Sequence, residues 1–558
     1  MILGAVFERE LRVAPRTRGV YVARAVYCGG LLAIIATCWL VVTGSQAVST
    51  VGDTARFAAT LLRILTPLQL TLAMLAAALT AATAVSLEKD RRTLELLLVS
   101  RLSDAQLVVG KLAGSLVRVL LLLLAAVPVF AIAAVFGGIT ADQLARAFLA
   151  TAAAAVASAS IANAVAFWRD TTFQALAITS FFLAAWIGLG EAVAARDAAS
   201  LAASISPARA VFAALAPTGG RELFPFLGVC CGVLVVFNTV AVALVRRWNT
   251  AREQRRTAGD TAAPAAPRRR VREVWSNPVL WREVCTRAHG RTMLFVRAAW
   301  LLLFAVAVAG LAAEAQADQP DRLMTAVAVI PMTLASLLAV AALATTSITT
   351  ERDRGSFDLL LVSDLEPGEF VWGKLFGVLI AAREIVALPL LLCAALVALG
   401  LASPEHGIYL AAGLAVLLFF AAVLGLYAGL SHPVSRQAVA VALGTVAFLF
   451  VGVATAMRIM VAFGGSFQLQ LAPFLAVIVG GAVGLYAALS ARNPSPAIGW
   501  AAASLPALTF VAITGFLQGG TLQVFLVVCA AYGFATLALV VPAIGAFDLL
   551  TGRTTGGS

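Results

Sequence analysis

Lysine is almost missing from this 558-residue chain, and charge of either sign is sparse: Lys89, Lys111 and Lys374 are its only lysines, and charged residues make up 12% of the sequence against 61% hydrophobic. That leaves too little polar surface to cover a water-soluble globule, so the bilayer must be the solvent. Histidine is equally rare. His289, His406 and His432 fall in loops or at the ends of apolar runs, and neither a His-Glu-x-x-His sequence nor a paired-aspartate motif occurs. Nothing therefore assembles a nucleophile with its base, which argues against an intramembrane enzyme. The cysteines (Cys28, Cys38, Cys230, Cys231, Cys285, Cys393 and Cys529) have neither metal-site nor disulfide-framework spacing and read as small buried hydrophobes. A Gly-x-x-x-x-Gly-Lys-Ser/Thr loop is also absent, since Gly110-Lys111 and Gly373-Lys374 lack the preceding glycine and strand. The net charge of +12 does not indicate nucleic acid, because the arginines cluster at the ends of apolar segments rather than along one face.

What is present is an all-α, polytopic pattern. A helix needs roughly 20 apolar residues to cross the hydrocarbon core. Apolar runs near 20–43, 58–87, 109–136, 142–167, 171–192 and 222–247 supply six spans in the first half. Runs near 293–313, 323–349, 374–401, 407–430, 437–462, 470–490, 497–517 and 521–547 supply up to eight in the second, and 12 to 14 spans are expected in all. Arginine and lysine concentrate at 9–18, 89–101, 246–291 and 352–354, and the bias of these residues toward short cytoplasmic loops places both termini inside. Residues 249–277, with Pro264, Pro267 and many arginines, have the composition of a solvated linker between a first unit, 1–248, and a second, 278–558. That linker reads as a tether or as a basic cluster beside anionic headgroups.

One segment is written twice. Glu88 to Gly114 aligns without a gap on Glu351 to Gly377, and Glu88, Asp90, Arg91, Leu96 to Ser100, Leu102, Gly110 to Leu112 and Gly114 recur identically. All three lysines lie in this doubled segment. Weaker matches extend to both ends: Phe7-Glu8-Arg9-Glu10 resembles Leu280-Trp281-Arg282-Glu283, and Phe226, Leu227, Val229 and Cys230 recur as Phe525, Leu526, Val528 and Cys529. The chain therefore holds two homologous helical bundles in the same orientation, each opening on a short interfacial helix. The second has gained a helical pair around 470–517.

Within each copy, Leu94, Leu97, Leu98, Leu102 and Phe357, Leu360, Leu361, Leu365 fall three or four residues apart, forming one stripe of a helix with charge on the other face. Ser103 with Gln106 reads as a capping box for the next span, and Pro367 with Glu369 as its counterpart. Lys111 and Lys374 are expected to snorkel to headgroups. Deeper in the membrane stand Arg383 and Glu384, which point to different sides of their helix and are not expected to pair with each other. A contact with polar cargo and a partner on a neighbouring helix are equal readings for them.

The charged Glu-x-Asp-Arg start, the Leu-Leu-Leu-Val-Ser core and the Gly-Lys before the third span, preceded by an Arg-Glu interfacial helix, resemble the membrane subunit of ABC-2 type transporters. The resemblance covers nearly all of the first half and most of the second, and the extra helical pair departs from it. It implies the permease of an ATP-driven exporter in the cell membrane, plasma or inner. In that family the loop between the second and third spans is a coupling helix seated in a cytoplasmic ABC ATPase, so two ATPase subunits are expected as partners, with ATP bound there and no cofactor here. Membrane lipid is the other partner and nucleic acid none. Carried onto this sequence, the docking residues are Glu88, Asp90, Arg91, Leu94, Leu97 and Leu98, with Glu351, Asp353, Arg354, Phe357, Leu360 and Leu361 in the second copy. The alternative is an ion-coupled secondary transporter with parallel repeats, for which only Glu384 offers a titratable group near midplane.

Overall fold

The computed structural model describes residues 4–13, 18–45, 50–90, 93–169, 172–196, 205–217, 223–261, 275–285, 293–316, 322–353, 355–362, 364–463 and 467–551, and its regular elements are all helical. The first half comprises α1 (Gly4–Val13), α2 (Arg18–Ser45), α3 (Val51–Asp90), α4 (Thr93–Val99), α5 (Asp104–Val135), α6 (Ala141–Trp168), α7 (Thr172–Arg196), α8 (Pro207–Leu215) and α9 (Leu223–Thr261). The second comprises α10 (Pro278–Cys285), α11 (Met293–Ala315), α12 (Arg322–Asp353), α13 (Ser356–Val362), α14 (Pro367–Ala381), α15 (Arg383–Ala398), α16 (Pro404–Ser431) and α17 (Ser435–Ala447). A π-helical turn, Phe448–Gly452, continues α17 into α18 (Val453–Phe463), and α19 (Phe467–Leu489), α20 (Pro496–Leu517), α21 (Thr521–Gly545) and α22 (Phe547–Thr551) follow. Among the described residues eleven helices are long and apolar enough to cross a bilayer, and the pair α14–α15, bent by 62°, is either a broken span, which would be a twelfth, or a re-entrant loop. The apolar stretches Val20–Ala36 and Phe474–Leu489, in α2 and α19, are shorter.

The same packing plan recurs in both halves. Helix α6 lies between α3 and α9, and α16 lies between α12 and α21. Small residues permit these approaches, as they do wherever lipid offers no hydrophobic drive between helices. A Cβ on Gly425 would come within 2.3 Å of the Ala341 carbonyl oxygen, and one on Gly429 within 3.0 Å of the Thr345 carbonyl oxygen. Ala162 and Ala166 hold the matching places on α6 and are fully buried. Across the halves, α7 packs on α11 and α12, while α18 touches α2 and α3.

Sequence expectation and structure part at two places. The expected linker begins later than residue 249, because α9 runs to Thr261; Ala251, Arg252, Glu253 and Gln254 are good helix formers and prolong the span. The single run expected at 374–401 is broken at Ala382, immediately before Arg383 and Glu384. The extra pair is α19–α20, and α19 lies against α2 of the other half. Its Gly481 receives the ring of Phe448 from the π turn, where a Cβ would fall 2.1 Å from the ring.

Candidate functional site

Each buried lysine sits where three elements meet. Lys111 on α5 is 5% exposed and is ion-paired with Glu88 at the end of α3. Lys374 on α14 is 1% exposed and lies 2.7 Å from both Glu283 of α10 and Glu351 of α12, with the Ser347 carbonyl at 3.2 Å. Arg282 joins the second cluster, paired with Glu351 and 3.3 Å from Glu283. In the first half Glu10 turns instead to Arg118, at 3.3 Å. Neither lysine snorkels: a desolvated ammonium needs an opposite charge beside it, and the glutamates supply it. Sequence position suggested a membrane mouth, but the interfacial helix lies over that spot. Gly114 and Gly377 let it do so, since a Cβ there would fall 2.8 and 2.7 Å from the Cβ atoms of Glu10 and Glu283.

The residue after each glutamate fastens the next corner. Lys89 Nζ donates to the carbonyls of Ala166, Phe167 and Arg169 at 2.7, 2.5 and 2.9 Å, satisfying the open end of α6. Arg352 donates in the same way to His432 and Leu430 at the end of α16, at 2.5 and 3.3 Å. The Ser435 hydroxyl donates to Asp353. Arg91, Arg354 and the side chains of Asp90 and Leu361 lie outside the described residues. Burial pushes the His432 imidazole below its usual 6.5, and the charges of Arg492 and Arg352 act in the same direction. A lowered pKa means that the unfolded chain takes up this proton first. Stability is therefore full above about pH 6.5 and declines as pH falls toward the folded value. The thermal midpoint in detergent should drop between about pH 7.5 and 5.5, and His432→Gln should flatten that window.

The coupling segments themselves are α4 and α13. Leu94 and Phe357 turn inward and are buried, and Leu97, Leu98 and Leu360 are half-buried against the core. Ser103 and Gln106 make the expected capping box, while α14 starts on Pro367 without a side-chain cap. Arg246 of α9 holds the α4–α5 turn through Asp104 at 2.6 Å. Facing outward are residues the stripe did not include: Val99 is 88% and its counterpart Val362 87% exposed, with Leu96 exposed beside Val99. Their signal was present in the identical Leu-Val-Ser of both copies, but periodicity alone assigned it to the polar face.

Both segments stand at one end of the bundle. Arg169, which follows α6, places its guanidinium 4.1 Å from the ring of Phe295 at the start of α11. Arg436, next to Ser435, lies near Arg118 and Glu10. Glu384 is 3.1 Å from Arg297 of α11 and 3.0 Å from Arg383, so adjacency does not prevent pairing; the break at Ala382 puts both groups at a helix start where they meet. The one titratable group read as favouring ion coupling thus has two cationic neighbours, Arg297 and Arg383.

Between the halves is a cavity of about 210 Å³. Its walls come from matching positions: Leu75 and Ala76 of α3 answer Leu338 and Ala339 of α12, and α7 and α17 face each other in the same manner. A family model described as "ABC-2 family transporter protein" matches residues 44–243. Searches of curated proteins and of solved structures return no match.

Proposed function

With residues 44–243 matching the ABC-2 transporter family model and a second bundle repeating their helical plan, we propose that this multi-pass protein is the membrane-spanning permease of an ATP-driven exporter. Hydrolysis belongs to two separate cytoplasmic ATPase subunits. The observation that carries the reading is the pair Val99 and Val362, apolar tips on short helices whose roots are clamped by buried ion pairs. A tip that enters a cleft transmits motion only if its root is stiff. Glu88 and Glu351 supply that stiffness as struts, and the valines, with Leu96, make the contact. By the bias of arginine and lysine toward short cytoplasmic loops, this end and both termini would face the cytoplasm of the cell membrane. Closure of the ATPase pair would tilt α3 and α12 together and reshape the cavity they share with α7 and α17.

The test is co-expression with candidate ATPase genes followed by affinity purification. Val99→Asp with Val362→Asp should reduce copurified ATPase about tenfold or more, since two carboxylates would enter an apolar cleft. The elution profile of the permease should not change. Full retention of the ATPase by this double variant would refute the docking assignment.

A further inference from the structure

The two seams between the halves are not alike. Helices α7 and α12 pack closely, whereas their counterparts α17 and α3 stand apart, with the cavity opening between them. Leu72, Ala440 and Gly444 are exposed along that opening, and a Cβ on Gly444 would meet nothing within 4 Å. A second cavity of about 180 Å³ continues the first along the same two helices, lined by Ile64, Pro67, Leu68 and Thr71 of α3 and by Val451, Thr455 and Arg458. Helix α19 closes on α2 beyond it. Successive turns of α3 line both cavities, Leu72 to Leu79 the first and Ile64 to Thr71 the second, so the two make one candidate cleft.

Its length and chemistry restrict what fits. From Leu79 to Ile64 the α3 wall is about 22 Å long at 1.5 Å per residue, longer than one leaflet's share of a hydrocarbon core about 30 Å thick. The hydroxyls in the wall face their own helices: Thr179 donates to Ala175, Ser180 to Ala177, Thr71 to Pro67 and Thr455 to Val451. The lining is therefore almost entirely carbon along the Leu72–Leu79 stretch, with polar surface added at the far end by Thr71, Thr455 and Arg458. At the far end is Arg458, which among the described residues has no ion-pair partner. Counting from Glu88, Arg63 on the same helix lies about 37 Å away by helix rise, at the level of the opposite headgroups.

We propose that this cleft holds one extended acyl chain of an anionic amphiphile, with the acidic headgroup at Arg458. The assignment deepens the permease reading, on which its role as cargo rests, by naming a substrate class. A guanidinium that is unpaired at the lip of an apolar slot selects for an acid over a zwitterion.

The probe is palmitic acid carrying a mid-chain diazirine, photolysed with the full-length protein in nanodiscs of zwitterionic lipid. Label is expected on peptides spanning 72–79 and 440–447, and Gly444→Trp, with Ala440→Trp as a second plug, should bring it to background. Unlabelled palmitate should compete, and Arg458→Gln should raise the concentration it needs about tenfold, the loss of one charge-assisted hydrogen bond. Hexadecylphosphocholine, of equal chain length, should compete poorly and indifferently to Arg458→Gln. Label spread over lipid-facing α9 and α21 and insensitive to both plugs overturns the site; equal competition by the zwitterion overturns the acidic headgroup. Cleft labelling in a protein that binds no ATPase would uphold the site and sink the permease reading, while palmitate-stimulated ATPase activity without cleft labelling would do the reverse.

Discussion

Lys374→Met should cost about 3–5 kcal/mol, the penalty for leaving buried carboxylates without their cation. Glu283 and Glu351 both lie 2.7 Å from Lys374 Nζ, and its loss would leave Arg282 beside two negative charges. The expected result is early unfolding of the variant in mild detergent, followed by intrinsic fluorescence or size-exclusion after heating. Lys111→Met should fall less far, because Lys111 answers the single carboxylate of Glu88. Adding Glu283→Gln and Glu351→Gln to Lys374→Met should recover much of the loss, since neutralising a whole buried cluster costs far less than breaking it. A Lys374→Met protein as stable as the parent would show that the cluster is hydrated and the strut slack.

Gly425→Leu should be comparably damaging for a steric reason. The new Cβ would sit 2.3 Å from the Ala341 carbonyl oxygen and 2.8 Å from the Ala344 Cβ, so α16 must leave α12. Backbone atoms cannot swing aside as a side chain can. Overpacking at such a contact costs about 3 kcal/mol, and here it would also part α16 from the helix that leads into α13. The check is yield of monodisperse protein, with Gly444→Leu as the control, since that position opens on free space. Equal behaviour of the two leucine variants would mean that the α12–α16 approach does not limit stability.

The doubled segment shows how far sequence reading reached. Glu88, Lys111, Glu351 and Lys374 were legible as one repeated device, because an ungapped match between otherwise diverged halves marks those positions. Their roles were not legible. Whether Lys374 reaches outward to headgroups or inward to Glu283 depends on where α10 lies, and α10 is distant in sequence from α14. Likewise, a stripe at helical spacing tells which residues share a face but not which face the core takes. Leu94 and Phe357 went inward, and Val99 and Val362 were left outside.

By itself, the sequence determined that this chain is helical and suited to a bilayer, and that one segment recurs in it. Those conclusions rest on transfer energetics and on repetition, both of which are local or register properties of the chain. The tertiary structure alone decided which carboxylate meets which lysine, which valines are free, and that one seam between the halves is filled while its twin is hollow. Such outcomes depend on helix-to-helix distances of a few ångströms, set by small residues such as Gly377 and Gly425 and by the placement of α19, and linear order does not encode them.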